Sequence, residues 1–373
     1  MTGLGRQRRT RTPVSQGGLP QEAQPKKRQR KLGIRRQSGR LIGFGLAAVM
    51  IAGLGLGGYI AWPRPLNSKT VCFYSGSISS LETFSKLAGT QVNCTVAFND
   101  ANPGWAQWVD PWFTHPRPTA DTDWSRWIKA DPTVRRIVVT QEMVPDSVSA
   151  NWRVLGAEGA YDGYARELAT NLVRAGMGNA IIRLGHEMNG TWYRDSLGSD
   201  PVRYRDWAEY WARIVRAMRS VAGAHFLFDW NINAGYRRIP LSSFYPGNDV
   251  VDMIGIDTYD AGMPADPSNQ VSRWTNLYRE PDGPQQVAAF ARAHGKPISI
   301  PEWGLVSKAK GGSGDDPSYV RGLVAAIKDN NVVYQSYFDH TTSGVLKIED
   351  CQASLSLWKQ YFGEGGALSG RPW

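Results

Sequence analysis

Eight short runs rich in Val, Ile and aromatic residues recur along the chain, at 70–75, 92–98, 135–140, 180–186, 225–231, 250–257, 297–302 and 332–338. They are continuous rather than alternating, as strands buried on both faces must be. Amphipathic stretches separate most of them, at 161–176, 202–221, 285–294, 317–329 and 350–361; Leu168, Leu172 and Val173 form the apolar stripe of the first. Strand–helix alternation demands parallel strands joined by crossovers. Eight such units predict an α/β fold, a (β/α)8 barrel over residues 70–365, within the length such barrels reach with insertions. A doubly wound open sheet is the alternative, but no Gly-rich phosphate loop follows the first strand. No internal repeat and no second folded domain is visible.

What precedes the barrel is of another kind. Residues 1–40 hold twelve Lys/Arg and one acid, Glu22, a net of +11 in a chain of net +10. The remaining 333 residues therefore sum to −1. That near-neutrality excludes the basic face of a nucleic-acid binder. Residues 1–40 read as a disordered basic tail. Residues 41–62 are 22 positions without a charge, about what a helix needs to cross some 30 Å of hydrocarbon. By the positive-inside rule the tail stays cytoplasmic and the barrel is exported. The apolar run is longer than that of a cleaved signal peptide, and Tyr59 stands where a small residue is wanted. The expectation is a single-pass signal anchor at 41–62, a linker at 63–69 and an extracytoplasmic domain.

In a barrel of this kind, active groups gather at the C-terminal ends of the strands. Here those ends read Gln141-Glu142, His186-Glu187-Met188-Asn189-Gly190, Asp229-Trp230-Asn231, Asp257-Thr258-Tyr259 and Glu302-Trp303-Gly304. The segment from Arg183 to Tyr193 resembles the strand-four signature of glycoside hydrolase family 26, the β-mannanase family. The run Ile298–Gly304 is similar to that family's nucleophile segment, and Tyr259 to the tyrosine it sets against the nucleophile. The resemblance implies a (β/α)8 barrel that hydrolyses a β-linked polysaccharide with retention, with Glu187 as acid/base and Glu302 as nucleophile.

The residues support the same chemistry on their own terms. Retention needs two carboxyls about 5–5.5 Å apart, one protonated to serve the leaving oxygen and one ionised to attack. Strands four and seven face each other across a barrel mouth. Arg183 and Tyr259 would hold Glu302, and period two along strand four would point Arg183 and Glu187 to the same side. His186 would touch substrate or orient a carboxyl; Asn189 and Asp257 would line the cleft. Nothing supplies a second His for a metal, and no cofactor is expected.

Sugars stack their C–H faces on indole, which gives the fifteen Trp a use. Trp192, Trp230 and Trp303 flank the proposed catalytic positions and are expected as platforms. Trp105, Trp108 and Trp112 would extend the cleft, whereas Trp207, Trp211 and Trp358 read as core. Strand eight ends Tyr337-Phe338-Asp339-His340 where the family usually carries a Trp, so Phe338 or Tyr337 would be the platform there. Strand two ends Asn99-Asp100 where the family usually places a His. These departures leave the sugar open among mannan, β-glucan, β-xylan and a cell-envelope glycan. A transglycosylase with the same glutamates and a non-catalytic glycan-binding barrel are the rival functions. Cys72 and Cys94 lie early in neighbouring strands, near the barrel floor, and are the expected disulfide; Cys351 opens the last helix, near the top.

Overall fold

The polypeptide closes into a barrel of eight parallel strands in sequence order. The structure, a computed structural model, describes residues 70–368 apart from 100–101, 117–119, 236–238, 262–268 and 342–343. The strands are β1 Thr70–Tyr74, β2 Cys94–Asn99, β3 Arg136–Gln141, β4 Ile181–Leu184, β5 Leu227–Asn233, β6 Met253–Tyr259, β7 Ile298–Gly304 and β8 Val332–Phe338. Each of the eight falls on a run picked out by composition, with no end moved by more than three residues. The basic tail, the uncharged stretch 41–62 and the linker lie outside the described residues. Among the described residues no helix is long and apolar enough to cross a membrane.

Period two along each strand sorts the side chains into two layers. Outward residues such as Ile182, Phe228, Trp230, Ile232 and Ile254 join the core shared with the helices. Inward residues of the lower strands form a separate cluster that includes Cys72, Cys94, Val96, Val138, Ile181 and Met253. The helices close the outer core through their apolar stripes. Tyr204–Arg219 buries Trp207, Tyr210, Trp211, Ile214, Val215 and Met218 on one face, each worth about 1.5–3 kcal/mol of transfer free energy. Trp358 is likewise buried, on helix Gln352–Phe362.

Cys72 and Cys94 are joined across β1 and β2, their Cα atoms 4.3 Å apart. The β1–β2 register sets Phe73 against Thr95, so the two cysteines stand opposite each other inside the barrel. Cys351 is a buried free thiol. Closing a loop 22 residues long in the unfolded chain should stabilise the fold by about 3 kcal/mol. The Cys72→Ser/Cys94→Ser variant should therefore melt roughly 5 °C or more below the oxidised protein; equal melting temperatures would contradict it.

Two breaks in regularity position the upper layer. β7 slips in register against both neighbours, between Ser299 and Trp303 on the β6 side and between Ile300 and Trp303 on the β8 side. Pro301 sits inside that stretch and offers no ladder N–H, which fits a bulge. The extra residue reverses the alternation. Glu302 turns to the mouth, and Trp303 turns outward to pack on Tyr319, Tyr337 and Phe362. The second break follows β4. Glu187 is not on that strand, as period two had implied, but in the turn beyond Leu184, with φ 49°. A non-glycine residue in this left-handed region stores about 1–3 kcal/mol of strain. Gly185 (φ 57°) makes the turn with it, because a Cβ there would meet the Met143 sulfur at 2.9 Å.

Candidate active site

Arg183 is the hub of the mouth. Its side chain is fully buried on β4, and its donors fan out to four strands. Nε donates to Asn231 Oδ1 on β5 at 2.8 Å and Nη1 to Thr140 Oγ1 on β3 at 3.2 Å. Nη1 also pairs with Glu302 on β7, and Nη2 with Asp257 on β6. Asn231 Nδ2 in turn donates to Asp257 Oδ1 at 3.1 Å. Burial works against the Arg183 charge, but Asp257, Glu302 and Glu187 outweigh it, so its pKa is raised.

One oxygen each from Glu187, Asp257 and Glu302 lies within 4.8 Å of the others. This is the one trio of candidate metal ligands among the described residues. The Arg183 guanidinium already bridges two of the three. A single cation cannot neutralise three carboxylates, so the surplus charge must be relieved by protonation. Burial first, then the Glu302 charge, pushes Glu187 up to about 7. Burial also raises Asp257 well above the usual carboxylate range against the pull of Arg183.

Glu302 accepts from Arg183 on one oxygen and from the Tyr259 hydroxyl on the other, at 2.6 Å. Glu187 accepts from Asn233 Nδ2 on Oε1 at 2.5 Å and from Trp192 Nε1 on Oε2 at 2.7 Å. Both glutamates line an open cleft of about 890 Å3. Phe338 stacks on Tyr74 at 4.6 Å, and Phe98 meets Tyr74 edge-on at 5.1 Å, forming an aromatic wall in that cleft. Trp112 extends the wall, its indole N–H donating to Phe98 O.

The expected site residues divide into three groups. Glu187, Glu302, Trp192, Tyr259 and Phe338 line the cleft. Arg183, Asp257 and Asn189 are buried behind it and hydrogen-bond other protein groups; Asn189 exchanges two hydrogen bonds with the Asn233 backbone and so fixes Asn233. His186 is also buried, against the rings of Phe98 and Tyr193, with neither ring nitrogen hydrogen-bonded among the described residues. Burial and Arg183 push its pKa well down, so the ring is neutral.

Two expected platforms are corrected. Trp230 and Trp303 are both fully buried on the outer face of the barrel. Trp230 packs on Phe244 and Tyr245 because β5 alternates Asp229, Asn231 and Asn233 inward. Trp303 is turned out by the β7 bulge. Trp108 is also core, and Trp105 stacks on Tyr164 instead of lining the cleft. Tyr337 is buried, leaving Phe338 as the strand-eight ring in the cleft. Asn99 spends its amide on Trp108 O and Gln141; Asp100 lies outside the described residues. Asn233 was missed because the fifth run was ended at Asn231, although the inward rhythm of Asp229 and Asn231 reaches it.

The structure thus places two carboxyls close together at the C-terminal mouth of a closed parallel barrel, inside an aromatic cleft. Residues 144–311, which carry β4 to β7 and both glutamates, match the family model described as glycosyl hydrolase family 26. Over 157 residues the chain is 29% identical to a mannan endo-1,4-β-mannosidase from Bifidobacterium adolescentis. That stretch is 40% of this chain and only 15% of the relative's length. In this segment the chain is similar to glycosyl hydrolase family 26. Among solved structures, the YdhT protein of Bacillus subtilis aligns with a TM-score of 0.53 at 17% identity, over 78% of this chain and 86% of that one. A modular endo-β-1,4-mannanase from Cellulomonas fimi aligns with a TM-score of 0.51 at 19% identity, over 77% and 70%. Likeness at this level of identity concerns the fold.

Proposed function

We propose that the protein is a retaining glycoside hydrolase of a β-linked polysaccharide, held outside the plasma membrane by residues 41–62. The observation that carries the catalytic reading is the approach of Glu187 and Glu302 to within 4.8 Å at the barrel mouth. Oxygens this near favour the close pair of a retaining mechanism over the roughly 6.5–9.5 Å between carboxyls that leaves room for an inverting enzyme's water. Glu302 attacks the anomeric carbon while Glu187 gives its proton to the departing glycosidic oxygen, leaving a glycosyl ester on Glu302. Water then gives a proton to Glu187 as its oxygen bonds to the anomeric carbon, and the Glu302 carboxylate leaves. The ester removes the Glu302 charge, which is the second cause of the high proton affinity of Glu187. Glu187 is thereby better suited to act as base in the second step.

Support for the anchor is the uncharged run behind a twelve-cation tail. The 29% identity over 157 residues to a mannan endo-1,4-β-mannosidase makes mannan the first polymer to test. Full-length protein should release reducing sugar from at least one of mannan, β-glucan, β-xylan or a cell-envelope glycan, with retained anomeric configuration by NMR. No cleavage of any of these would remove the proposal, and inverted product would remove the mechanism.

The pH dependence has a definite sign. Glu187 must be protonated in the first step, and its proton is lost as pH rises through about 7. The alkaline limb of kcat/KM should therefore fall near pH 7. A rate that stayed flat to pH 9 would count against Glu187 as the acid.

A further inference from the structure

Glu187 must hold a proton in the first step and be free of it in the second. Both its oxygens accept N–H donors, from Asn233 and Trp192. N–H donors on both oxygens favour the ionised carboxylate. Loss of either donor would therefore raise the proton affinity of Glu187.

The two donors differ in how firmly they are held. Asn233 sits on β5, its backbone clasped on both sides by Asn189, whose Oδ1 accepts from Asn233 N and whose Nδ2 donates to Asn233 O, each at 2.8 Å. Trp192 lies on the loop after β4 and is 45% exposed in the cleft. Its indole lies over Gly190, where a Cβ would stand 2.6 Å from Cζ2. Trp192 is the donor a ligand can reach. Because Glu187 serves the leaving-group oxygen, the ring bonded to it flanks the leaving-group sugar.

We propose that the Trp192 indole N–H is the proton-state partner of Glu187: it favours the carboxylate while the leaving-group side of the cleft is empty, and a sugar stacked on the ring draws it away so that Glu187 holds its proton more firmly. The inference rests on the hydrolase reading. It gives each step its own state, since the N–H departs when sugar is present and returns once the leaving group has gone, when a carboxylate base is required. The other charged and titratable groups facing Glu187 are Arg183 from β4, Asp257 and Tyr259 from β6, Glu302 from β7 and Tyr193 from its own loop. The Trp192 bond is one of the contacts that lower the proton affinity of Glu187 against burial. Trp192 is thus a positioning residue that acts through Glu187.

The test is a glutamate-carboxyl 13C NMR titration of the full chain, with Glu187 assigned as the resonance missing from Glu187→Gln. In ligand-free protein, Trp192→Phe should raise the Glu187 titration midpoint by about one pH unit, roughly a tenfold gain in proton affinity. At least one of β-1,4-linked mannotriose, cellotriose and xylotriose should raise the wild-type midpoint and leave that of Trp192→Phe within a few tenths. A ligand-free variant that titrates like wild type overturns the proposal, as does a wild-type midpoint that none of the three sugars moves. Turnover of mannan, glucan and xylan by the same preparations separates this from the reading beneath it. A polymer cleaved with unshifted titration removes only the role of the indole. A shifted titration with no polymer cleaved removes the hydrolase reading.

Discussion

Glu302→Ala should lower kcat on the polymer the protein cleaves by roughly 10^4-fold or more, because the covalent step loses its nucleophile. Glu187→Ala should cost nearly as much on a polymer, whose leaving group needs a proton. The two separate on an aryl β-glycoside with a good leaving group, where Glu187→Ala recovers its first step and Glu302→Ala does not. Azide should partly rescue Glu302→Ala, attacking from the face the carboxylate occupied and giving a glycosyl azide of inverted configuration. Structure should survive, since Arg183 keeps its pair with Asp257 when Glu302 is gone. Wild-type turnover in either variant, with unchanged circular dichroism, would refute the assignment of that residue.

Arg183→Met should be the costliest single change to the fold. It removes a fully buried cation and strands Asp257 and Glu302 beside Glu187 with nothing to offset their charge. Breaking one partner out of a buried ion pair costs about 3–5 kcal/mol, a fall of the order of 10 °C in melting temperature for a domain of this size. Some of that loss should return at low pH, where Asp257 takes up a proton. Arg183→Lys keeps the charge but not the fork that reaches four strands, so it should recover stability only in part and leave kcat depressed. A melting temperature within a degree of wild type for Arg183→Met would show that the charges are relieved elsewhere.

The barrel was legible in the sequence because its signal is local. Runs of Val and Ile bounded by amphipathic segments specify strands covered on both faces, and eight of them leave few other closed arrangements. The two glutamates were legible for a related reason, since strand ends in such a fold converge on one mouth. Side-chain direction was less secure. Period two holds only while a strand stays regular, and it failed after Leu184 and across Pro301-Glu302. Trp303 therefore passed from an expected sugar platform to the outer core, while Glu302 gained the mouth. Pro301 in a central strand was the available sign of the bulge. Trp230 obeyed period two, and counting inward from Asp229 and Asn231 would have placed it outside and found Asn233.

By itself, then, the order of apolar runs determined a closed parallel barrel, and the residues at its strand ends determined which carboxyls compete for the mouth. Only the tertiary structure decided that Arg183 would sit between Asp257 and Glu302, that Glu187 would reach the site from a left-handed turn, and that Asn233 and Trp192 would hold its two oxygens. Apart from the Trp192 bond, which lies within one loop, those facts rest on contacts between residues 46 to 119 positions apart or on one bulge and one turn. Such distances are set when the strands close on each other, whereas hydrophobic periodicity reports only a residue's nearest neighbours along the chain.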